Sequence, residues 1–379
     1  MSPCSKITKD HLERLPIEIK QMIAGYLPIS SLLNFKLCSK DFNYNYQFSK
    51  QQLHALYLNK KIFNNVTAFK CYLHFNEPVG DDFEKAIWKD KPDIVKVLLE
   101  DGRSDPSARS NHVIRFASEY GRTEIVRTLL NDRRVDPSAM NNFAIRCACK
   151  NVHAAIVQLL LQVNRVDPSV DRNYCISLAC EKGYTEIVQM LLSNARVDPS
   201  VDDNYPVRVA SKSGYTEIVA MLLNNERVDP TTDSNYAIRM AAKNGHTLIV
   251  QMLLNDKRVD PTAYNNNAIR TAVKYDHPDI VAMLLNDERV DPTVDDNSAI
   301  RLACEFGQTE MIQLLLKDGR VDPSAKDNYA IRHASKNGYT DIVAILMKDK
   351  RVDPCADNND VVKCDSIIGN VEMPLEDEP

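Results

Sequence analysis

Apolar residues recur along this chain at one long, fixed spacing. Ile stands at 94, 125, 156, 187, 218, 249, 280 and 342, with Met311 in the remaining place. Leu keeps the same step at 98, 129, 160, 191, 222, 253, 284, 315 and 346, and Ala at 86, 117, 148, 179, 210, 241, 272, 303 and 334. Each interval is 31 residues, unbroken by insertion or deletion, which marks one supersecondary brick repeated many times. Inside a repeat, Ile125, Val126, Leu129 and Leu130 fall at i, i+1, i+4 and i+5, the stripe of a short helix. Upstream, Ile114, Ala117 and Ser118 fall at i, i+3 and i+4 and predict a second helix.

Polar positions punctuate these helices. Gly121 ends the first, because Gly takes a left-handed C-terminal conformation cheaply. Thr123 is expected to cap the second, with Glu124 suited to the helix dipole. The motif Arg-x-Asp-Pro follows, with its Asp at 105, 136, 167, 198, 229, 260, 291, 322 and 353, and starts a turn. Each repeat therefore reads as turn, helix, short loop, helix. Neither helix, at roughly nine residues, would persist alone in water, so stacking must supply the stability. Nine helix pairs are expected, starting near 82, 111, 142, 173, 204, 235, 266, 297 and 328. Asn359 to Ile368 reads as a degenerate tenth. The Gly column at 121, 183, 214, 245, 307 and 338 is broken by Asp90, Val152 and Asp276.

The stretch from Asn235 to Leu254 resembles an ankyrin repeat. Its Ala-Ala-x-x-Gly-His turn, its Ile-Val-x-x-Leu-Leu helix and the following Val-Asp-Pro-Thr stand where that family places them. The resemblance covers about 81–354 and implies an all-α, ankyrin-type helical repeat solenoid. Two departures are visible. The repeat is about two residues shorter than usual, lost between Asp-Pro and the first helix, so turn-like fingers are expected. The family's Thr-Pro-Leu-His is Tyr-Ala-Ile-Arg here, which removes the Thr–His hydrogen bond and calls for another polar lock.

Residues 1–80 lack the 31-residue step, are rich in aromatics and carry ten Lys and Arg against five Asp and Glu. Pro16 suits the first position of a helix whose stripe is Ile19, Met22, Ile23 and Tyr26. Gly25 and Pro28 close it, and Ser30 or Ser31 opens a second through Leu32, Leu33 and Phe35. The order Leu15-Pro16-x-Glu18-Ile19, Ile23, Tyr26-Leu27-Pro28, Leu32-Leu33, Leu37-Cys38, Lys40-x-Phe42 resembles an F-box, with Phe42 where Trp is common. By that resemblance Leu15, Pro16, Ile19, Ile23, Leu27, Leu32 and Leu33 would dock on a Skp-class adaptor of a cullin–RING ubiquitin ligase, a helix-in-groove mode. The competing reading is a helical cap on the first repeat. The expected organisation is a three-helix module at 1–50, a helical junction at 51–80, the repeats at 81–354 and a C-terminal cap with an acidic tail at 355–379. Leu53, Leu56, Tyr57, Ile62, Phe63, Phe69, Tyr72 and Phe75 are read as the core of the junction.

Composition narrows the chemistry. No apolar run approaches the roughly 18 residues of a membrane span, and no apolar core follows the first charges as in a secretory signal. The net charge of −5 gives no footprint for nucleic acid. The ten Cys are expected to be reduced thiols in a cytoplasmic protein. Cys149, Cys180 and Cys304 share a column with Ser118, Ser211, Ala242, Val273 and Ser335, so packing rather than metal binding is expected, even beside Cys147. His153, His246 and His277 share a column with Arg122, Tyr184, Tyr215, Gln308 and Tyr339, which fixes no chemistry. No nucleophile elbow or phosphate loop occurs. Neither a catalytic residue nor a cofactor or metal is expected.

Two Arg rows, one in Arg-x-Asp-Pro and one at 115, 146, 208, 239, 270, 301 and 332, are expected to hydrogen-bond with the Asp of Asp-Pro between turns. Finger tips and helix ends vary from repeat to repeat, and in ankyrin proteins both line the partner-gripping face. Tyr120, Met140, Tyr264, Tyr275 and Phe306 are the expected target anchors. With mainly acidic tips and mainly basic helix ends, the partner's charge stays open. The whole reads as a monomeric adaptor in which the repeats hold an unknown target and the F-box-like end holds the ligase. The alternative is a plain ankyrin scaffold that sequesters a partner. The combination is similar to ankyrin proteins of large DNA viruses, which would place it in a host cytoplasm.

Overall fold

A computed structural model describes residues 61–64, 66–75, 78 and 80–353. The F-box-like segment and the degenerate tenth repeat lie outside the described residues. The chain divides between Asp167 and Pro168 into two compact units. Among the described residues every regular element is a helix.

In the first unit a 3-10 turn, Lys61–Asn64, leads to α1 (Val66–Phe75), α2 (Asp82–Trp88), α3 (Pro92–Asp101), α4 (Ala108–Glu119), α5 (Thr123–Leu130), α6 (Ala139–Lys150) and α7 (Ala154–Leu161). The pairs α2/α3, α4/α5 and α6/α7 are three successive repeats. First helices stack on first helices (α2, α4, α6) and second on second (α3, α5, α7). α1 packs against α3, and Phe63, Phe69 and Tyr72 are buried, with Phe63 and Phe69 rings 5.2 Å apart.

The second unit holds six repeats. They are α8 (Val170–Lys182) with α9 (Thr185–Leu192), α10 (Val201–Ser213) with α11 (Thr216–Leu223), α12 (Thr232–Lys243) with α13 (Thr247–Asn255), α14 (Ala263–Lys274) with α15 (Pro278–Leu285), α16 (Val294–Glu305) with α17 (Thr309–Lys317), and α18 (Ala325–Lys336) with α19 (Thr340–Leu346). The same two-row stacking holds. The Ala, Ile and Leu columns are its core: Ala210, Ile218, Leu222, Ala241, Ile249 and Leu253 are fully buried. A short helix that hides only one stripe gains its stability from the neighbour on each side.

The fingers take an unexpected form. Each first helix from α4 onward opens with three residues in the left-handed region, such as Arg109, Ser110 and Asn111 (φ 52, 56 and 56) or Asp233, Ser234 and Asn235 (φ 51, 52 and 55). Non-glycine residues pay for this conformation, and Asn pays least. The third position is Asn in every one of these repeats, and its side chain is buried. Asn235 Oδ1 accepts the Asp260 N–H of the following Asp-Pro at 2.9 Å, and Asn111 does the same for Asp136 at 2.7 Å. The second Arg row holds the rest of the turn. Arg239 Nε and Nη2 donate to the Ser234 and Asp233 carbonyls, both at 2.9 Å, and Arg115 likewise grips Ser110 and Arg109. Ser177 breaks that row, and its hydroxyl has no hydrogen-bond partner among the described residues.

Three expectations are corrected here. The lock between repeats is the Asn–Asp backbone bond, not an Arg–Asp-Pro pair. The Asp136 carboxylate accepts instead from Ser138 N–H and Oγ–H within its own turn (3.0 and 2.6 Å). The first Arg row reaches a backbone carbonyl of the preceding repeat: Arg258, Arg289 and Arg320 donate to Val228, Val259 and Val290, each at 2.8 Å. Thr123 is not a side-chain cap but the first helical residue. The capping position is Arg122, and the Thr123 N–H returns to the Gly121 carbonyl, which holds the turn by backbone alone.

The His column has a packing role that Tyr shares. An added Cβ on Gly121 would meet the His153 ring at 2.7 Å, on Gly214 the His246 ring at 2.6 Å, and on Gly183 the Tyr215 ring at 2.6 Å. Each ring lies on the preceding repeat's glycine. His153 and His246 Nε2 also bond the carbonyls of Glu119 and Lys212 at 3.0 Å. Asp90 and Asp276 carry a Cβ at that position, and the next repeats answer with the flexible Arg122 and Gln308. Val152 sits there at φ 62 and is half exposed.

Two stability measurements follow. Asn235→Gly keeps the left-handed turn but removes the acceptor, and urea titration should show a loss of about 1–3 kcal/mol. Asn235→Ala should lose roughly a further 1 kcal/mol from the backbone; equal values for the two would mean that strain is not part of the cost. Val152→Gly should raise stability by about 1 kcal/mol, since a β-branched residue is relieved of a left-handed φ, and a lower melting temperature would contradict that.

Candidate functional site

Exposed apolar side chains are where these repeats offer binding energy, because the core columns leave few large ones outside. In the first unit Tyr120 stands at the C-terminal end of α4 and Met140 at the left-handed tip of α6, both exposed. They occupy opposite kinds of position and are not brought together as a pair. Tyr120 packs on Phe116, ring centroids 4.6 Å apart, which stacks in turn with His112 at 5.4 Å.

In the second unit Tyr275 caps α14 and Phe306 caps α16, the same position in successive, contacting helices, so the fold sets these two side by side. Tyr264 is at the other end of α14, roughly 13 Å away along the axis. It is 67% exposed, but one face is engaged: the Arg239 guanidinium lies 4.9 Å from its ring centroid and 5.8 Å from that of Tyr236. The same interleaving places Phe143 between Arg115 and Arg146 in the first unit. The second Arg row thus stacks on aromatic rings while its nitrogens grip the fingers, a use of planar guanidinium that Lys could not copy.

Sequence reasoning passed over Trp88, the chain's single Trp and 66% exposed, and also Leu248 and Met347. Trp88 stands in the helix-end column that varies between repeats. Its signal was legible, but the irregular first repeat, with Asp90 and Pro92, hid it. Leu248 replaces an acid in the column of Glu124, Glu186 and Glu217.

Four fingertip carboxylates of the second unit meet a cation within the fold. Asp202 lies 3.5 Å from Arg172, Asp233 3.4 Å from Arg208, Asp295 3.9 Å from Arg270, and Asp296 3.7 Å from Lys326. A second set of acids follows α13, α15 and α17. Arg258, Arg289 and Arg320 form two-pronged bonds to Asp256, Asp287 and Asp318, with the shorter prong 2.6 Å in each. Those bonds hold the three carboxyls below the usual carboxylate range against the opposing effect of burial.

The thiols are quiet. Cys149, Cys180 and Cys304 are fully buried, and burial pushes the Cys304 thiol up to about 12 and Cys180 and Cys147 upward as well. Burial of this kind disfavours the thiolate, the form that attacks or binds metal, at Cys147, Cys180 and Cys304. Among the described residues no group of His, Cys, Asp and Glu is placed to hold a metal, and no helix is long and apolar enough to cross a membrane. The proposed docking residues Leu15, Pro16, Ile19, Ile23, Leu27, Leu32 and Leu33 lie outside the described residues.

Known families match two parts of the chain. Ankyrin-repeat models match residues 83–172, 146–233 and 207–296, more than half of the sequence, and a single-repeat model adds 295–328. An F-box domain model matches residues 12–44. No curated protein gives a significant match. Proteins built of these two modules are typically non-catalytic and work by binding other proteins.

The Asp-x-Arg loops generate a pH dependence. A carboxyl depressed by a folded-state partner adds stability above its unfolded pKa, near 3.9, and that contribution disappears as pH falls through the folded value. Urea midpoints should therefore drop steeply from about pH 4 downward. Asp256→Asn, Asp287→Asn and Asp318→Asn together should flatten that limb, and an unchanged acid slope would assign it to other carboxylates.

Proposed function

This chain belongs to the ankyrin repeat family, and on that premise we propose that it is a substrate-recruiting adaptor, not an enzyme. Residues 81–354 capture a target protein and residues 1–50 dock on a Skp-class adaptor of a cullin–RING ubiquitin ligase, so that ubiquitin transfer happens elsewhere. Residues 51–80 join the two, and 355–379 cap the last repeat and form an acidic tail. The observation that carries the reading is the pairing of an F-box match at 12–44 with ankyrin matches running to residue 328 in one chain. An F-box alone has nothing to deliver, and ankyrin repeats alone have no ligase to deliver to.

The docking residues are Leu15, Pro16, Ile19, Ile23, Leu27, Leu32 and Leu33, whose apolar side chains fill an adaptor groove. The target anchors are Tyr120, Met140, Tyr264, Tyr275 and Phe306. Trp88 joins them, as aromatic side chains concentrate interface energy. The competing reading, a scaffold whose N-terminal helices only cap the repeats, draws on the packing of α1 against α3. The two part on one experiment. Purified Skp-class adaptor should co-purify with the full chain, and Leu15→Asp with Leu32→Asp should abolish this while leaving the helical content and melting curve of the repeats in place. No capture by the unmodified chain would leave only the scaffold.

A further inference from the structure

The two ends of the first helices in the second unit use their charges differently. The tip carboxylates of Asp202, Asp233, Asp295 and Asp296 each lie within 4.0 Å of an Arg or Lys nitrogen. At the other end, Lys212, Lys243 and Lys274 occupy one column in three successive repeats. Among the described residues no ion pair holds any of the three. Two of them lie near a ring instead: Lys243 Nζ and Lys274 Nζ are 5.3 and 5.9 Å from the Tyr275 ring centroid. Phe306 follows one repeat later in Tyr275's column, and Glu305 beside it ends the basic run. With four tip acids paired to cations and three lysines unpaired at the opposite end, the helix-end edge is the more positive of the two, with exposed rings at one end of it.

We infer that this edge takes a short acidic protein segment, its carboxylates on Lys212, Lys243 and Lys274 and an aromatic or large aliphatic side chain against Tyr275 and Phe306. The inference rests on the capture reading above and adds the chemistry of the partner. Stacked helices lie about 8–10 Å apart, and an extended chain advances about 3.3 Å per residue. A carboxylate roughly every third residue therefore meets each lysine in turn. The apolar group lies towards Phe306, because Glu305 repels a carboxylate there. A nucleic-acid strand fits less well. Its continuous phosphates cannot avoid Asp276 and Glu305 at the aromatic end, whereas a peptide carries charge only where it is met.

The full chain can be tested with a random displayed library of about twelve-residue peptides, long enough to span four repeats at that advance. Enriched sequences should carry net negative charge and an aromatic or large aliphatic residue. A synthetic enriched peptide should bind about tenfold more weakly to the chain with Lys212→Glu, Lys243→Glu and Lys274→Glu, and weaken as salt rises from 0.1 to 0.5 M, as exposed charge pairs do. Should the triple reversal disturb the melting curve, the Lys→Gln triple keeps the comparison and should weaken binding in the same direction. Tyr275→Ser with Phe306→Ser should also lower affinity. Basic or uncharged enriched sequences, or binding indifferent to the lysines, overturn the inference. So does a thymidine oligonucleotide that binds more tightly than the peptide. An empty selection overturns it together with capture on this edge, whereas failure of the Skp-class pull-down bears only on the F-box end.

Discussion

One hydrogen bond, repeated, underlies the rest: an Asn side-chain oxygen at the end of each left-handed finger accepts the N–H of the next Asp-Pro turn. Without it, a buried backbone donor goes unpaired, and three non-glycine residues have no reason to stay in a costly conformation. With it, the turn is pinned at one end to the following repeat. The Arg of Tyr-Ala-Ile-Arg pins the turn at its other end by taking two of its carbonyls. Finger geometry, helix start and stacking register thus depend on a single amide. A repeat two residues shorter than usual is possible because a left-handed turn replaces the longer finger.

The same economy shapes the surface. Arg side chains that hold the fingers also stack on Phe143, Tyr236 and Tyr329 and reach fingertip acids, so planarity and charge are both consumed inside the fold. Lys212, Lys243 and Lys274 at the helix ends enter no ion pair among the described residues, and two of them only lie near the Tyr275 ring. A protein that recognises others by its surface keeps unspent the groups that the scaffold does not need, and here these are ammonium groups and a few rings.

How much was legible in advance varies with the kind of force. Helix pairs, their order and the buried Ala, Ile and Leu columns follow from apolar periodicity, which reports burial directly. The fingers did not, because left-handed backbone leaves only a faint mark: an Asn that never changes beside two positions that vary. The Asn column was read as a boundary when it was the lock. Arg and Asp in one motif suggested a pair, yet the Arg takes a carbonyl of the preceding repeat and the acid two residues before it, while the Asp takes the Ser or Thr of its own turn. Tyr275 and Phe306 were singled out as exposed rings, and their adjacency follows from equal spacing. That Tyr264 shares a face with Arg239 needed coordinates, since residues 25 apart meet only through the stack.

The ring that rests on a glycine of the preceding repeat has a consequence for how such a chain can change over generations. A duplication or unequal crossover joins the front of one brick to the back of another. The new junction is sound when a bare backbone meets a flat ring, or a carboxylate-bearing position meets a supple side chain. Mixed junctions put a methylene where an imidazole must lie. A brick that carries both a glycine and a ring can therefore follow itself, Asp90 and Asp276 are each followed by a supple side chain, and Val152 before Tyr184 is a mixed junction that this chain carries at the cost of a left-handed valine.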